Sequence, residues 1–169
     1  MQNNQLEDLS IRFAGKEDVG IILKFIKDLA DYENLSPMVV ATEELLEEIL
    51  FNQKKAEVII AEYQQLPVAF ALFFHNYSTF LGRSGIYLED LYVASEMRGK
   101  GIGSRMLSFL AKLALERKCG RLEWACLDWN KPSIEFYKQL GGAPQEDWTV
   151  YRVNDKTLLN LANKYDNVE

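Results

Sequence analysis

Three glycines in alternate positions, Gly99, Gly101 and Gly103, lie between a predicted strand and a predicted helix. Glycines here allow the backbone to approach an anion closely, and the free N–H groups of a helix start point at it. The loop therefore suits a pyrophosphate. The alternative is a flexible turn in which the glycines only reverse the chain.

Two common nucleotide motifs are excluded by the spacing of this loop. A Rossmann fingerprint requires a third glycine three residues after the second, where this chain has Ser104 or Met106. A Walker A loop requires Ser or Thr directly after Gly-Lys, but Lys100 is followed by Gly101.

Glu89 and Asp90 are adjacent carboxylates in an otherwise apolar predicted strand. Alternation along a strand places them on opposite faces, so we expect no close acid–base pair. A carboxylate in such a strand is costly unless it is paired or hydrated, which favours a chemical role. The alternative, strongest for Asp90, is a structural bond to backbone or to a neighbouring arginine.

The elements that must position these residues are predicted from periodicity and turn residues. Strands are predicted at 9–13, 56–63, 67–77, 86–94, 121–127 and 148–153, and helices at 18–30, from Thr42, at 102–114, from Asn130 to Leu140 and at 155–165. Gln64-Gln65 predicts a hairpin turn, and Gly141-Gly142 a helix end. Strands and helices alternate only in the second half, which predicts a mixed sheet in a single domain, 1–169.

The bulk composition limits the classes of function. A net charge of -6 opposes binding to nucleic acid or anionic membranes and favours cationic ligands. Cys119 and Cys126 have no CxxC spacing, which predicts no metal site and a reduced, cytoplasmic location. The longest apolar run, Pro67 to Phe74, is far shorter than the ~20 residues of a membrane span, and residues 1–10 do not resemble a signal peptide.

Several segments resemble the GNAT superfamily of N-acetyltransferases. Arg98-Gly99-Lys100-Gly101-Ile102-Gly103 resembles its pyrophosphate loop, Tyr87–Val93 is similar to its splayed central strand, and Asn130-x-Pro132-Ser133-x-x-Phe136-Tyr137 is similar to its second CoA motif. More narrowly, the chain resembles the spermidine/spermine (diamine) and thialysine N-acetyltransferase branch, from Ile11 to about Ala162. The segments that carry this likeness are Leu29–Glu33, Phe70-Ala71, Tyr87–Asp90, Arg98–Ser104, Trp129–Tyr137 and Trp148.

This resemblance implies an α/β GNAT fold, with a mixed, mostly antiparallel sheet, splayed central strands and helices on both faces. It implies transfer of an acetyl group from acetyl-CoA to a primary amine of a small cationic molecule. Glu89 would hold a water that relays the proton of the amine. Tyr137 would be the general acid, since a phenol pKa of ~10 is close enough to the ~8.5 of a thiol to protonate the leaving thiolate.

The resemblance also assigns binding residues. Acetyl-CoA would contact Leu91, Tyr92, Val93, Arg98, Gly99, Lys100, Gly101, Ile102, Gly103, Ser104, Asn130, Pro132, Ser133 and Tyr137. The first three would offer backbone groups to the pantetheine, and Arg98 and Lys100 would pair with phosphates. The amine would contact Tyr32, Glu33, Glu89, Asp90, Glu123 and Trp124. No metal is implied, and the branch implies a homodimer.

One departure from the branch concerns the acceptor. Where polyamine members carry an acidic residue and a tryptophan before the central strand, this chain has Ser78-Thr79-Phe80. Losing a carboxylate weakens the hold on a second or third ammonium group, which favours a short diamine or a thialysine-like amino acid over spermidine. The alternatives are acetylation of a protein lysine or peptide N-terminus, and a non-catalytic acyl-CoA sensor. The presence of Tyr137 opposes the sensor.

Overall fold

The computed structural model describes residues 7–166, in two compact units that meet between Leu127 and Asp128 in the sequence. Residues 1–6 and 167–169 of the predicted 1–169 domain lie outside the described part. Most of the segment 1–10, for which the sequence predicts no signal peptide, therefore lies outside it as well. Within residues 7–166, no helix is both long enough and apolar enough to cross a bilayer.

The first unit contains a mixed sheet of five strands in sequence order. They are β1 (Leu9–Phe13), β2 (Glu57–Tyr63), β3 (Leu66–Ser78), β4 (Arg83–Val93) and β5 (Leu122–Trp124). Each of the first four strands pairs antiparallel with the next, and β4 pairs parallel with β5. The mixed, mostly antiparallel sheet predicted from the sequence is confirmed.

The β2–β3 hairpin turns where the sequence predicts it. Gln64 and Gln65 have φ values of 52° and 66°, the left-handed conformation of a two-residue turn whose twist matches that of the flanking strands. Tyr63 pairs directly with Leu66 across the turn.

Helix α1 (Val19–Tyr32) packs on one face of this sheet. Its apolar side chains recur at helical spacing, and Ile22 and Phe25 form a buried cluster with Ile60 and Phe70 of the sheet. The rings of Phe25 and Phe70 are stacked with centroids 5.6 Å apart. The predicted helix at 18–30 is thereby confirmed.

Helix α3 (Ile102–Glu116) lies on the opposite face. Phe13 pairs with Ile59, so the two side chains share a face, and neighbouring residues on a strand alternate between faces. Ile59 therefore faces away from Ile60 and α1. The ring of Phe109 in α3 lies 6.0 Å from that of Phe13, which places α3 on that second face. Helices on both faces are confirmed.

Between α1 and β2, the chain forms α2 (Glu43–Leu46), which continues as a π-helix over Glu47–Asn52. Thr42 caps α2 as predicted, its Oγ1 accepting from the N–H of Leu45 at 3.3 Å. The wider π-turn places Leu50 in the buried cluster that α1 forms with the sheet around Phe25 and Phe70, hereafter the α1 cluster. Helical periodicity alone does not predict this detail.

The second unit contains α4 (Lys131–Gln139) and α5 (Asp155–Asp166), both predicted. The strand predicted at Trp148–Val153 is wrong, because this segment forms no ladder within the described residues. Alternating apolar residues supply strand propensity, but a strand also requires a pairing partner. The side chains of Trp148, Val150 and Tyr151 are exposed.

We expect Phe70→Ala to lower the free energy of unfolding by about 3–5 kcal/mol, because it leaves a cavity beside Phe25 in the core. Phe80→Ala is the matched control: that ring is 96% exposed, and its loss should cost less than about 0.5 kcal/mol. Urea unfolding of both variants measures the difference. Equal costs would contradict the assignment of Phe70 to the core.

Candidate active site

The glycine loop connects β4 to α3. After β4 the chain makes a 3-10 turn at Ser95–Met97, and α3 begins at Ile102. Gly99 and Gly101 have φ values of 73° and 84°, so both occupy the left-handed region that favours glycine. The path of the backbone thus favours glycine at both positions, whether or not a ligand is bound.

The start of α3 is open to an anion. Its N-cap residue, Gly101, has no side chain to cap it, and its first turn holds no acidic residue. The N–H groups of Ile102, Gly103 and Ser104 have no acceptor within the helix. A Cβ built on Gly99 would meet no atom of residues 7–166 within 4 Å, so no described residue obstructs the loop surface there. These features fit a pyrophosphate.

Glu89 is an extra residue in β4. Leu72 of β3 pairs with Asp90, whereas the next residue, Phe73, pairs with Leu88, which leaves Glu89 unmatched as a β-bulge. The expectation that Glu89 and Asp90 lie on opposite faces assumed strict alternation along the strand, which the bulge interrupts. Asp90 lies opposite Leu72, which packs with the α1 cluster.

The β4–β5 ladder ends at the same position. Its last pair joins Leu88 to Trp124, and Glu89–Val93 of β4 have no partner in β5. On its other edge, β4 remains paired with β3 as far as Val93. The predicted separation of the two central strands is confirmed, although β5 is shorter than the predicted 121–127.

Asp90 is a half-buried carboxyl group beside other acids. Burial is the main cause that raises the pKa of Asp90 to about 6, and the charges of Glu89 and Glu33 contribute further. Burial also raises the pKa of Glu33, which follows the last residue of α1. Glu33 and Glu89 are thus close enough to Asp90 for their charges to raise its pKa. A bound cation would stabilise the ionised carboxylates of this group.

Arg98 contacts two tyrosines predicted to bind different ligands. Its guanidinium carbon lies 4.6 Å from the ring centroid of Tyr32 and 5.4 Å from that of Tyr92. Its Nε donates to the carbonyl oxygen of Val93 at 3.0 Å. Nearby, Nζ of Lys100 donates to Sδ of Met97 at 3.4 Å. The cationic side chains of the loop are therefore engaged by the protein itself.

Glu123 is bound within the first unit. Its Oε2 accepts from Nε of Arg121 at 2.9 Å and from Nδ2 of Asn76 at 2.9 Å. These contacts offset the negative charge that was expected to bind the amine. Trp124, next to it, lies at the last pair of the β4–β5 ladder.

The segment that resembles the second CoA motif forms the start of α4. Oδ1 of Asn130 accepts from the N–H of Ser133 at 3.3 Å, which confirms the predicted cap, and Pro132 lies in the first turn. The ring of Tyr137 lies 5.3 Å from that of Phe136 on the same helix. The helix ends as predicted, where the N–H of Gly142 donates to the carbonyl of Tyr137 at 2.9 Å.

Two features of the site escape sequence reasoning. The bulge at Glu89 depends on how β3 and β4 pair, and no local pattern marks it. The contact between Arg98 and Tyr32 joins residues far apart in the chain. The adjacent acidic pair draws attention to Glu89 and Asp90 but does not indicate the bulge, and the Arg98–Tyr32 contact has no local signal either.

We expect Asp90→Asn to raise the free energy of unfolding near pH 7.5 by about 1–2 kcal/mol. The folded protein binds the Asp90 proton more tightly than the unfolded chain, so the ionised group costs stability above its folded pKa of about 6. This cost disappears as the pH falls towards about 4, the ordinary value for Asp, and the gain should vanish with it. Urea unfolding at both pH values measures it.

Glu116→Gln is the control for this measurement. Glu116 pairs with Lys112 on the exposed surface of α3, at 3.6 Å, and such pairs contribute little. Its removal should change stability by less than about 0.5 kcal/mol near pH 7.5. An Asp90→Asn variant that is no more stable than this control would contradict the cost assigned to the buried charge.

Comparison with known proteins identifies relatives along most of the chain. Residues 26–142 match the Acetyltransferase (GNAT) family. A thialysine N-epsilon-acetyltransferase of Bos taurus is 39% identical over 166 residues, covering 91% of this chain and 97% of the relative. An L-ornithine N5-acetyltransferase of Arabidopsis thaliana is 29% identical over 194 residues, covering 88% of this chain and 85% of that protein.

A solved structure shows the same architecture. An integron cassette protein from the mobile metagenome of V. cholerae superposes with a TM-score of 0.78 at 26% identity, covering 92% of this chain and 98% of that one. The match over residues 26–142, the mixed sheet and the separated central strands agree with the resemblance noted in the sequence. The chain belongs to the GNAT acetyltransferase family, in the branch that includes the thialysine acetyltransferases, and it is an acetyltransferase.

Proposed function

We propose that this enzyme transfers the acetyl group of acetyl-CoA to a primary amine of a small cationic acceptor, a polyamine, a diamine or a thialysine-like amino acid. The observation that carries the proposal is the half-buried carboxyl group of Asp90. No cationic side chain in residues 7–166 forms an ion pair with it, while Glu33 and Glu89 add negative potential. A bound ammonium group would supply the missing positive charge.

The donor side of the proposal rests on the loop and on β4. The N–H groups of Ile102–Ser104 and the open surface at Gly99 would hold the pyrophosphate of acetyl-CoA. Backbone groups of Leu91–Val93, past the end of the β4–β5 ladder, would bind the pantetheine amides. Bound there, acetyl-CoA would supply an activated acetyl thioester.

Glu89 is the residue we propose to receive the proton of the amine through a water. Its side chain is exposed, as a water relay requires, and it sits at the bulge where the central strands separate. An acceptor amine has a pKa near ~10.4 and must lose a proton before its nitrogen attacks the thioester carbon. As the carbon–sulfur bond breaks, Tyr137 would donate its phenolic proton to the departing sulfur. Asp90 would hold the ammonium form in place.

The turn after β3 favours short acceptors. Ser78 ends β3, its Oγ accepting from the N–H of Leu81 at 3.3 Å, and the ring of Phe80 is exposed. No carboxylate in Ser78–Phe80 is present to bind a second ammonium group. The relatives named for thialysine and L-ornithine, both amino acids with a side-chain amine, support the same choice. A homodimer and a cytoplasmic location remain predictions.

We expect steady-state acetyl-CoA turnover to give a higher kcat/KM with thialysine, ornithine and short diamines than with spermidine. A lysine-containing peptide tests the alternative of protein acetylation in the same assay. We expect kcat/KM for these acceptors to exceed that for spermidine about tenfold, the usual effect of one missing contact to a charged group. Equal or faster turnover of spermidine would contradict the choice of short acceptors. Turnover of the peptide alone would contradict the proposed function.

We expect Tyr137→Phe to lower kcat by about 10²–10⁴, the range of general acid catalysis. The variant keeps the ring that lies against Phe136 and loses only the hydroxyl. The KM of the amine should change less, because the hydroxyl is proposed to act at the thioester. Steady-state kinetics at saturating acetyl-CoA, with calorimetric binding on the same preparation, measure both. Near-normal kcat with intact binding would exclude Tyr137 as the essential acid.

A further inference from the structure

Arg98 is bound on three sides by the protein. Its guanidinium lies within cation–π range, about 6 Å, of two rings, those of Tyr32 at 4.6 Å and Tyr92 at 5.4 Å. Its Nε donates to Val93 at 3.0 Å. A planar guanidinium can stack on rings and donate in its own plane at the same time, which a lysine ammonium cannot reproduce.

This contact joins the glycine loop to the acceptor side of the site. Tyr32 is the last residue of α1 and precedes Glu33. Tyr92 is buried on β4, two residues after Asp90, with its ring 5.9 Å from that of Phe25 in α1. Arg98 directly precedes Gly99, the first left-handed residue of the loop.

The loop needs such an attachment. Gly99 and Gly101 place few limits on the backbone, so ordering the loop costs conformational entropy. Met97 is buried and anchors the 3-10 turn, and Arg98 adds a contact to α1 immediately before the glycines. A loop ordered before the ligand arrives binds more tightly, because this entropy has already been lost.

We propose that Arg98 is a positioning residue, which Tyr32 and Tyr92 hold so that the glycine loop is ordered for acetyl-CoA. Tyr32, on the acceptor side, then controls affinity for the donor. The inference rests on the proposed function, and it replaces the expectation that Arg98 pairs with a phosphate. The two roles predict different effects on acetyl-CoA affinity when the Tyr32 ring is removed.

Calorimetric titration with acetyl-CoA, without any amine, separates these roles. If Arg98 positions the loop, Tyr32→Leu should weaken binding by about three- to tenfold, the scale of a lost cation–π contact. Tyr32→Phe keeps the ring and should bind within about twofold of the unaltered protein. If Arg98 instead binds a phosphate, Tyr32→Leu frees the guanidinium, and affinity should be unchanged or higher. That result would overturn the proposal.

Arg98→Lys provides a second test at an exposed residue. A positioning role predicts a loss as large as that of Tyr32→Leu, and no further loss when the two changes are combined, because both break one contact. If residue 98 instead binds a phosphate, lysine at this position should retain most of the affinity for acetyl-CoA. Losses of acetyl-CoA affinity that add in the double variant would contradict the proposal. A lower melting temperature with an unchanged Kd would also contradict it, because the contact would then stabilise only the fold.

Failure of the proposed function gives a different result. The unaltered protein would then show no binding of acetyl-CoA, whatever stands at position 32. Gly101→Asp is the reference for lost binding, since the carboxylate would lie beside the pyrophosphate, and Gly101→Asn tests the same volume without the charge. Asparagine tolerates the left-handed conformation, so this control preserves the loop.

Discussion

The single extra residue in β4 determines how the rest of the site is arranged. By inserting Glu89 opposite the step from Leu72 to Phe73, the chain changes which side chains of β4 face α1 and which face α3. Leu88 lies on one side of this change and is buried, whereas Asp90 lies on the other beside acidic neighbours. The parallel ladder to β5 ends at Leu88. One insertion thus places a carboxylate beneath α1 and leaves part of a strand edge outside the sheet.

Two carboxyl groups, the buried Asp18 and the half-buried Asp90, differ in their partners. Asp18 is buried but accepts two hydrogen bonds from Arg12, at 2.7 and 2.9 Å, and this guanidinium lowers the pKa of Asp18. Arg12 also binds Glu62, which ties β1 to β2 and to the start of α1. Asp90 has no such partner in the described part of the chain, and its pKa moves in the opposite direction. A satisfied pair serves the fold, whereas an unsatisfied acid is tolerated where a ligand can satisfy it.

Local signals were enough to predict most elements. The caps at Thr42 and Asn130, the Gln64-Gln65 turn and the helix end at Gly141 each depend on a few neighbouring residues. Features that depend on distant pairing could not be predicted. Trp148–Val153 has strand propensity but no ladder within the described residues, and the carboxylate of Glu123 accepts from Asn76 of the distant strand β3. The Arg98 contact likewise forms only when α1 and β4 pack together.

In the proposed function, the donor and the acceptor would bind to different parts of the polypeptide. The open start of α3 and the left-handed glycines offer main-chain groups, which every substitution that preserves the backbone path would retain. On the acceptor side, Tyr32, Glu33 and Asp90 would offer side chains, and each can be exchanged by a single codon change. Evolution can therefore alter the acceptor of such an enzyme in small steps while the donor site stays the same. A scaffold divided in this way is well suited to gene duplication followed by divergence of substrate.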